Sequence, residues 1–188
     1  MTAFTLHLMR HGAPVGAGRL LGHTDAAATD EGCAACLARA RELEVDAVVC
    51  SDLVRARDPA DMIAASHGLP LRIDPRWREL DFGAWDGAHP GELDTARLAA
   101  FWNDPLGHAP PQGETWHALV ARVGAALEEI GAPTLVVTHA GAMRAALSCL
   151  FGLDYRQSWA FDLPYTALIS LRIWPGAQRT ALITALAT

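Results

Sequence analysis

Short apolar runs of strand length alternate along this chain with longer stretches of helical period. FTLHLM (4–9) leads into a loop, and DEGCAACLARARELEV (30–45) follows with an alanine-rich helical repeat. DAVVCS (46–51) is a second β-branched run, and DLVRARDPADMIAASHG (52–68) is a second helix ending on glycine. LPLRIDPRW (69–77) is a weaker third strand. The pattern then breaks between Asp81 and Pro111, a stretch rich in Trp, Pro and Gly that predicts loops and short helix. It resumes with a helix in GETWHALVARVGAALEEIGA (113–132), a strand in PTLVVTH (133–139) and a helix in GAMRAALSCLFG (141–152). TALISLRIW (166–174) and RTALITALA (179–187) predict two final strands joined by the turn signal PGAQ (175–178). The alternation predicts a three-layer α/β/α sandwich with a mainly parallel central sheet and an antiparallel edge strand. With 188 residues, 51% of them apolar, and no linker or repeat, the chain is expected to form one domain over 1–188.

Charge and termini narrow the class. A net charge of -6 argues against nucleic acid or an anionic membrane as partner, so anion binding here must come from arginines gathered locally. The sequence carries no export signal and no apolar segment long enough to span a bilayer, which predicts a soluble, reduced, cytoplasmic protein. Cys33-x-x-Cys36 lies in the alanine-rich helix without a second pair at metal-ligand spacing, so its residues are expected to be small core residues.

Ligands of parallel sheets bind at the carboxyl ends of the strands. The residues predicted there are Arg10-His11-Gly12, then Ser51-Asp52 with Arg55, then His139-Ala140-Gly141. Two histidines and two arginines thus converge from different strands. A histidine flanked by guanidinium groups suits nucleophilic attack on a dianionic phosphoryl group. Arg10 and Arg55 are the candidates to hold the non-bridging oxygens in bidentate fashion. His139, with the backbone N–H groups of Ala140 and Gly141 at a helix start, is the candidate to donate to another. The leaving oxygen needs a proton, and RELDFGAWDG (78–87) offers Glu79 and Asp81, with Asp86 further off. Of Arg55 and Arg57, two apart, only one is expected to face the site. Two arginines and a second histidine supply the positive field, so no metal or other cofactor is expected.

LMRHG (8–12), SDLVRARDPA (51–60), RELDFGAWDG and VVTHAG (136–141) together resemble, in order, the four signatures of the histidine phosphatase superfamily, the phosphoglycerate mutase-like branch. The resemblance implies His11 as nucleophile, Arg10, Arg55 and His139 as the phosphate pocket, and Glu79 as proton donor. It also implies a phosphomonoester substrate. The chain departs from the pattern after RHG, where Ala13, Pro14 and Gly16-Ala17 stand in place of the usual polar contacts. Asp25, Thr29 and Gly32 are kept, and Thr24 and His23 are the candidates to replace the missing contacts. Pro59 replaces a Thr, which predicts Asp58 as the N-cap of a helix beginning there. The excursion at about 81–116, expected to cap the substrate site, is similar to the matching stretch of α-ribazole phosphatases. These remove the 5′-phosphate of α-ribazole phosphate, or of the cobalamin phosphate. Its tryptophans are expected mostly in the core, with one or two placed to stack on a base. Broad-specificity phosphatases, mutase-like enzymes and a non-catalytic binding module are the alternatives. A monomer or homodimer is expected.

Overall fold

The computed structural model describes residues 2–176 and 179–188. Six strands form one sheet: β1 (Phe4–Arg10), β2 (Ala47–Cys50), β3 (Leu71–Ile73), β4 (Thr134–Thr138), β5 (Leu168–Trp174) and β6 (Thr180–Ala187). Their order is β3-β2-β4-β1-β5-β6. β1, β4, β2 and β3 run parallel, with Arg10 opposite Thr138 and Cys50 opposite Val137. β5 is reversed against β1, and β6 is reversed against β5, so the antiparallel edge is a two-stranded ribbon. Ala177 and Gln178 of the predicted turn lie outside the described residues.

The period-two alternation of each strand divides its side chains between two cores. Leu6 and Leu8 of β1, with Val136 of β4, face a core built with α4 (Trp116–Glu128) and α5 (Ala140–Phe151). Met9, Cys50, Leu135 and Val137 face a second core built with α1 (Asp30–Ala40) and α2 (Val54–His67). Cys36, Ala40, Ala56, Ala60 and Ala64 line those two helices, and such small residues let them lie close to the sheet. Cys33 and Cys36 are both free thiols. His7 fits this core through a hydrogen bond between its Nδ1 and Ser170 Oγ, 2.8 Å.

The start of α2 agrees with the predicted 52–68 helix and not with the predicted Asp58 N-cap. α2 begins at Val54 rather than beside Pro59, which lies inside the helix. The reason is tertiary: the Val54 N–H donates to the Asp25 carboxylate at 2.7 Å, a cap supplied from 29 residues away. Pro59 removes one internal hydrogen bond without ending the helix. Thr29 caps α1 by accepting from Gly32 N–H. Asp25 and Thr29 are therefore kept for their capping role.

The excursion after β3 carries 3₁₀ turns at Gly83–Trp85 and Pro90–Glu92 and a short helix, α3 (Thr95–Asn103). With α6 (Tyr155–Ser158) it stands over the carboxyl ends of the parallel strands.

Candidate active site

A cavity of about 260 Å³ opens there. Arg10, His11, Glu79, Ala140 and Gly141 form part of its wall, brought together from β1, the segment after β3 and the start of α5. Arg55 and His139 are fully buried beneath that wall, and the His139 ring meets the His11 ring edge-on at 5.0 Å between centroids.

His11 is placed by backbone geometry. Its N–H donates to Thr138 O of β4 at 2.8 Å, and Gly12 packs on Gly32 so closely that a Cβ at residue 12 would overlap the Gly32 carbonyl. Residue 12 must therefore be glycine for the chain after β1 to pass the start of α1. His11 Nδ1 lies 2.6 Å from Gly12 O. A carbonyl only accepts, so the proton sits on Nδ1 and the Nε2 lone pair is free. Burial, then the Arg55 and Arg10 charges, lower the His11 pKa to about 3, and the imidazole is neutral. A neutral, oriented imidazole at neutral pH is a competent nucleophile. Burial and the same arginines hold His139 well below its ordinary value.

The positive groups are unevenly satisfied. Arg10 donates to Leu163 O at 2.6 Å and lies over the Tyr165 ring, 4.2 Å from its centroid. Arg55 donates to the carbonyls of Thr24, Leu21 and Gly22 at 2.6–2.8 Å. Its guanidinium is thus largely committed to backbone, which leaves fewer donors for phosphate than the bidentate expectation assumed. Arg10 Nε, Arg55 Nε and both ring nitrogens of His139 are buried with no partner. An unpaired buried polar group costs roughly 1–3 kcal/mol, so donors gathered around one imidazole are poised for an anion.

Glu79 is held at both ends. Its carboxylate accepts from Gly141 N–H at 3.1 Å and Leu80 N–H at 2.9 Å. Its carbonyl accepts from Arg122, which also grips the Arg76 and Arg78 carbonyls and pairs with Glu114. A Cβ at residue 141 would overlap the Glu79 carboxylate, so glycine there lets the carboxylate keep this position. Asp81 is not in the cavity wall: it caps Gly83 N–H and lies 3.6 Å from His23.

His23 and Thr24, expected to touch substrate, do not reach the cavity wall. Their backbone N–H groups, with that of Gly22, donate to the Asp86 carboxylate, while the Thr24 carbonyl receives Arg55. The loop contributes backbone carbonyls that position Arg55, and Asp86 fixes the loop. Arg57 is partly exposed beside Asp58.

The far side of the cavity is aromatic: Phe82, Phe101, Trp102, Trp116 and Trp159 line it, with Arg19 and Arg144, while Tyr165 stands beside His11, 5.6 Å between ring centroids. Trp159 meets Trp102 and Trp116 edge-on, at 6.1 and 5.6 Å between centroids. Arg144 shares the α5 face of Ala140, a spacing visible in the sequence. Trp159 and Tyr165 had no such signal. Trp77 and Trp85 are core residues, away from the cavity.

These groups at the carboxyl ends of a parallel sheet fit phosphoryl transfer, and the family description of the histidine phosphatase superfamily (branch 1) matches residues 6–185. The chain belongs to that superfamily. It is a phosphatase of this group, with the phosphoglycerate mutase-like fold. It is 30% identical over 124 residues to the adenosylcobalamin/alpha-ribazole phosphatase of Escherichia coli K12, an alignment covering 62% of this chain and 61% of that protein. It is 30% identical over 168 residues to the E. coli protein named "Probable phosphoglycerate mutase GpmB", covering 82% and 77% of the two chains. The alpha-ribazole phosphatase of Shigella flexneri superposes with a TM-score of 0.82 at 25% identity, over 98% and 96% of the chains. Among the described residues no helix is long and apolar enough to cross a membrane.

Proposed function

We propose that this phosphatase hydrolyses α-ribazole 5′-phosphate, or the corresponding cobalamin phosphate, through a phosphohistidine at His11. The observation that carries the reading is that one cavity is lined both by the neutral His11 and by Phe101, Trp102, Trp116 and Trp159, rings that suit stacking on a planar base. Nε2 of His11 attacks phosphorus while the bond to the ribose oxygen breaks, and Glu79 gives that oxygen its proton. Arg10, Arg55 and His139 stabilise the charge on the non-bridging oxygens, with the N–H of Ala140 at the start of α5, whereas the expected Gly141 N–H is taken by the Glu79 carboxylate. Water, losing its proton to Glu79, then attacks the phosphohistidine, the P–N bond breaks, and neutral imidazole and inorganic phosphate result. The whole chain acts as one catalytic domain capped by the 81–116 excursion, in the cytoplasm, as a monomer or homodimer, without a metal.

The relatives named for α-ribazole support this substrate, and the mutase-named relative supports the alternative. Specificity constants decide between them. α-Ribazole 5′-phosphate should exceed 3-phosphoglycerate and simple sugar phosphates by at least tenfold. A preference for 3-phosphoglycerate would favour the mutase-like reading, and a flat profile a broad-specificity phosphatase.

A further inference from the structure

Arg144 has no part in the phosphoryl chemistry above, yet it lines the same cavity. Its guanidinium lies over the Trp159 ring at 4.6 Å. Among the described residues its one side-chain hydrogen bond is from Nη2 to Phe161 O, 3.1 Å, and its Nε is buried and unpaired. Burial lowers its pKa, while Glu79 and Asp162 act to raise it and Arg10 to lower it. No ion pair joins it to any carboxylate among the described residues. A desolvated cation with spare donors, held over an indole, is an arrangement for recognition.

We infer that Arg144 is a specificity-determining residue that donates to a hydrogen-bond acceptor on the leaving group, a sugar oxygen or a ring nitrogen of a planar substituent. The inference rests on the phosphomonoesterase reading of the site and deepens it. His11, Arg10, Arg55 and His139 surround the phosphoryl group, whereas Arg144 stands among the rings that face what departs. Trp159 and the Phe161 carbonyl hold the guanidinium, so the donors need little reordering when an acceptor arrives. A site built to hydrogen-bond its substrate discriminates strongly against an analogue lacking that acceptor, because the buried donor is then left unpaired. The ring faces of the surrounding tryptophans bind either analogue by contact area.

The test is Arg144→Met, which keeps the length and apolar stem, measured on two substrate classes. Acceptor-bearing substrates are α-ribazole 5′-phosphate and adenosine 5′-phosphate. Acceptor-free ones are phenyl phosphate and 1-naphthyl phosphate. The variant should lose at least tenfold in kcat/KM on the first class and less than threefold on the second. An equal loss on both classes, or no loss on either, would overturn the inference. If Arg144→Met does not fold, Arg144→Lys keeps the stem and charge without the planar fork. It should show the same selective loss, at least threefold, and an unselective result there overturns the inference equally. Failure of the α-ribazole assignment appears separately, in the ranking of the wild-type enzyme.

Discussion

The two ends of the cavity are built by different means. At the phosphate end, His11 is 4% exposed and Arg55 and His139 are 0% exposed, and backbone groups hold their surroundings. Gly12 passes Gly32, three carbonyls clasp Arg55, and Asp86 fixes the loop that supplies them. At the aromatic end, Trp102 and Trp159 are 43% and 38% exposed and meet only through ring edges. The first end is over-determined and sets what chemistry is possible. The second is assembled from α3, α4 and the segment after α5, and sets which leaving group fits. A change at the first should abolish turnover broadly, whereas a change at the second should re-rank substrates.

The sharpest contrast comes from Glu79, the one carboxylate in the cavity wall among the described residues. Glu79→Gln retains size and hydrogen bonding but cannot supply a proton. It should slow hydrolysis of alkyl phosphates by roughly 10²–10⁴-fold and that of p-nitrophenyl phosphate far less, since nitrophenolate departs without protonation. Steady-state kinetics on both substrates checks this, with Asp81→Asn as the control that shows no such dependence. A smaller loss on alkyl phosphates, about 10²-fold, is expected of Gly141→Ala, whose methyl must push the carboxylate aside. At the aromatic end, Trp102→Ala should raise KM for naphthyl or nucleoside phosphates by roughly 3–10-fold, from the lost ring contacts, while methyl phosphate is unaffected. An equal effect on all three substrates would mean that the wall is only structural.

The last contrast is in stability. His11 has a folded pKa of about 3 against an ordinary 6.5, with Arg55, Arg10 and His139 packed around it. Between those values the unfolded chain binds the proton and the folded chain does not. Stability therefore rises with pH across that window and is lost as pH falls below about 6.5, by up to about 1.4 kcal/mol per pH unit for this group. Urea titrations in phosphate-free buffer should show a shallower acid slope for His11→Asn than for the wild type. An unchanged slope would contradict the buried neutral state.

Legibility in the sequence followed the same division. The phosphate end could be read because strand ends are marked by period-two runs that stop in Arg-His-Gly and Thr-His-Ala-Gly, and because Glu79 follows a recognisable signature. What escaped there depended on distant partners. Asp25 caps a helix 29 residues on, so Pro59 does not mark the helix start. His23 and Thr24 use their backbones where side-chain contacts were expected. The aromatic end was half legible. The 82–116 tryptophans suggested a wall, but Trp159 follows a four-residue helix. Tyr165 precedes Thr166, whose φ of +63 has no local sequence mark. Both reach the cavity only through tertiary packing.

The central claim is that His11 is the nucleophile. Rapid quench with a ³²P-labelled substrate tests it directly. The protein should carry one label per active site, lost in acid and stable in base, as for a phosphoramidate. His11→Ala should carry none and should lose nearly all turnover. A label that survives acid and is lost in base would assign the covalent bond to a carboxylate, and label retained in His11→Ala would place it on another residue. Either result would contradict the account.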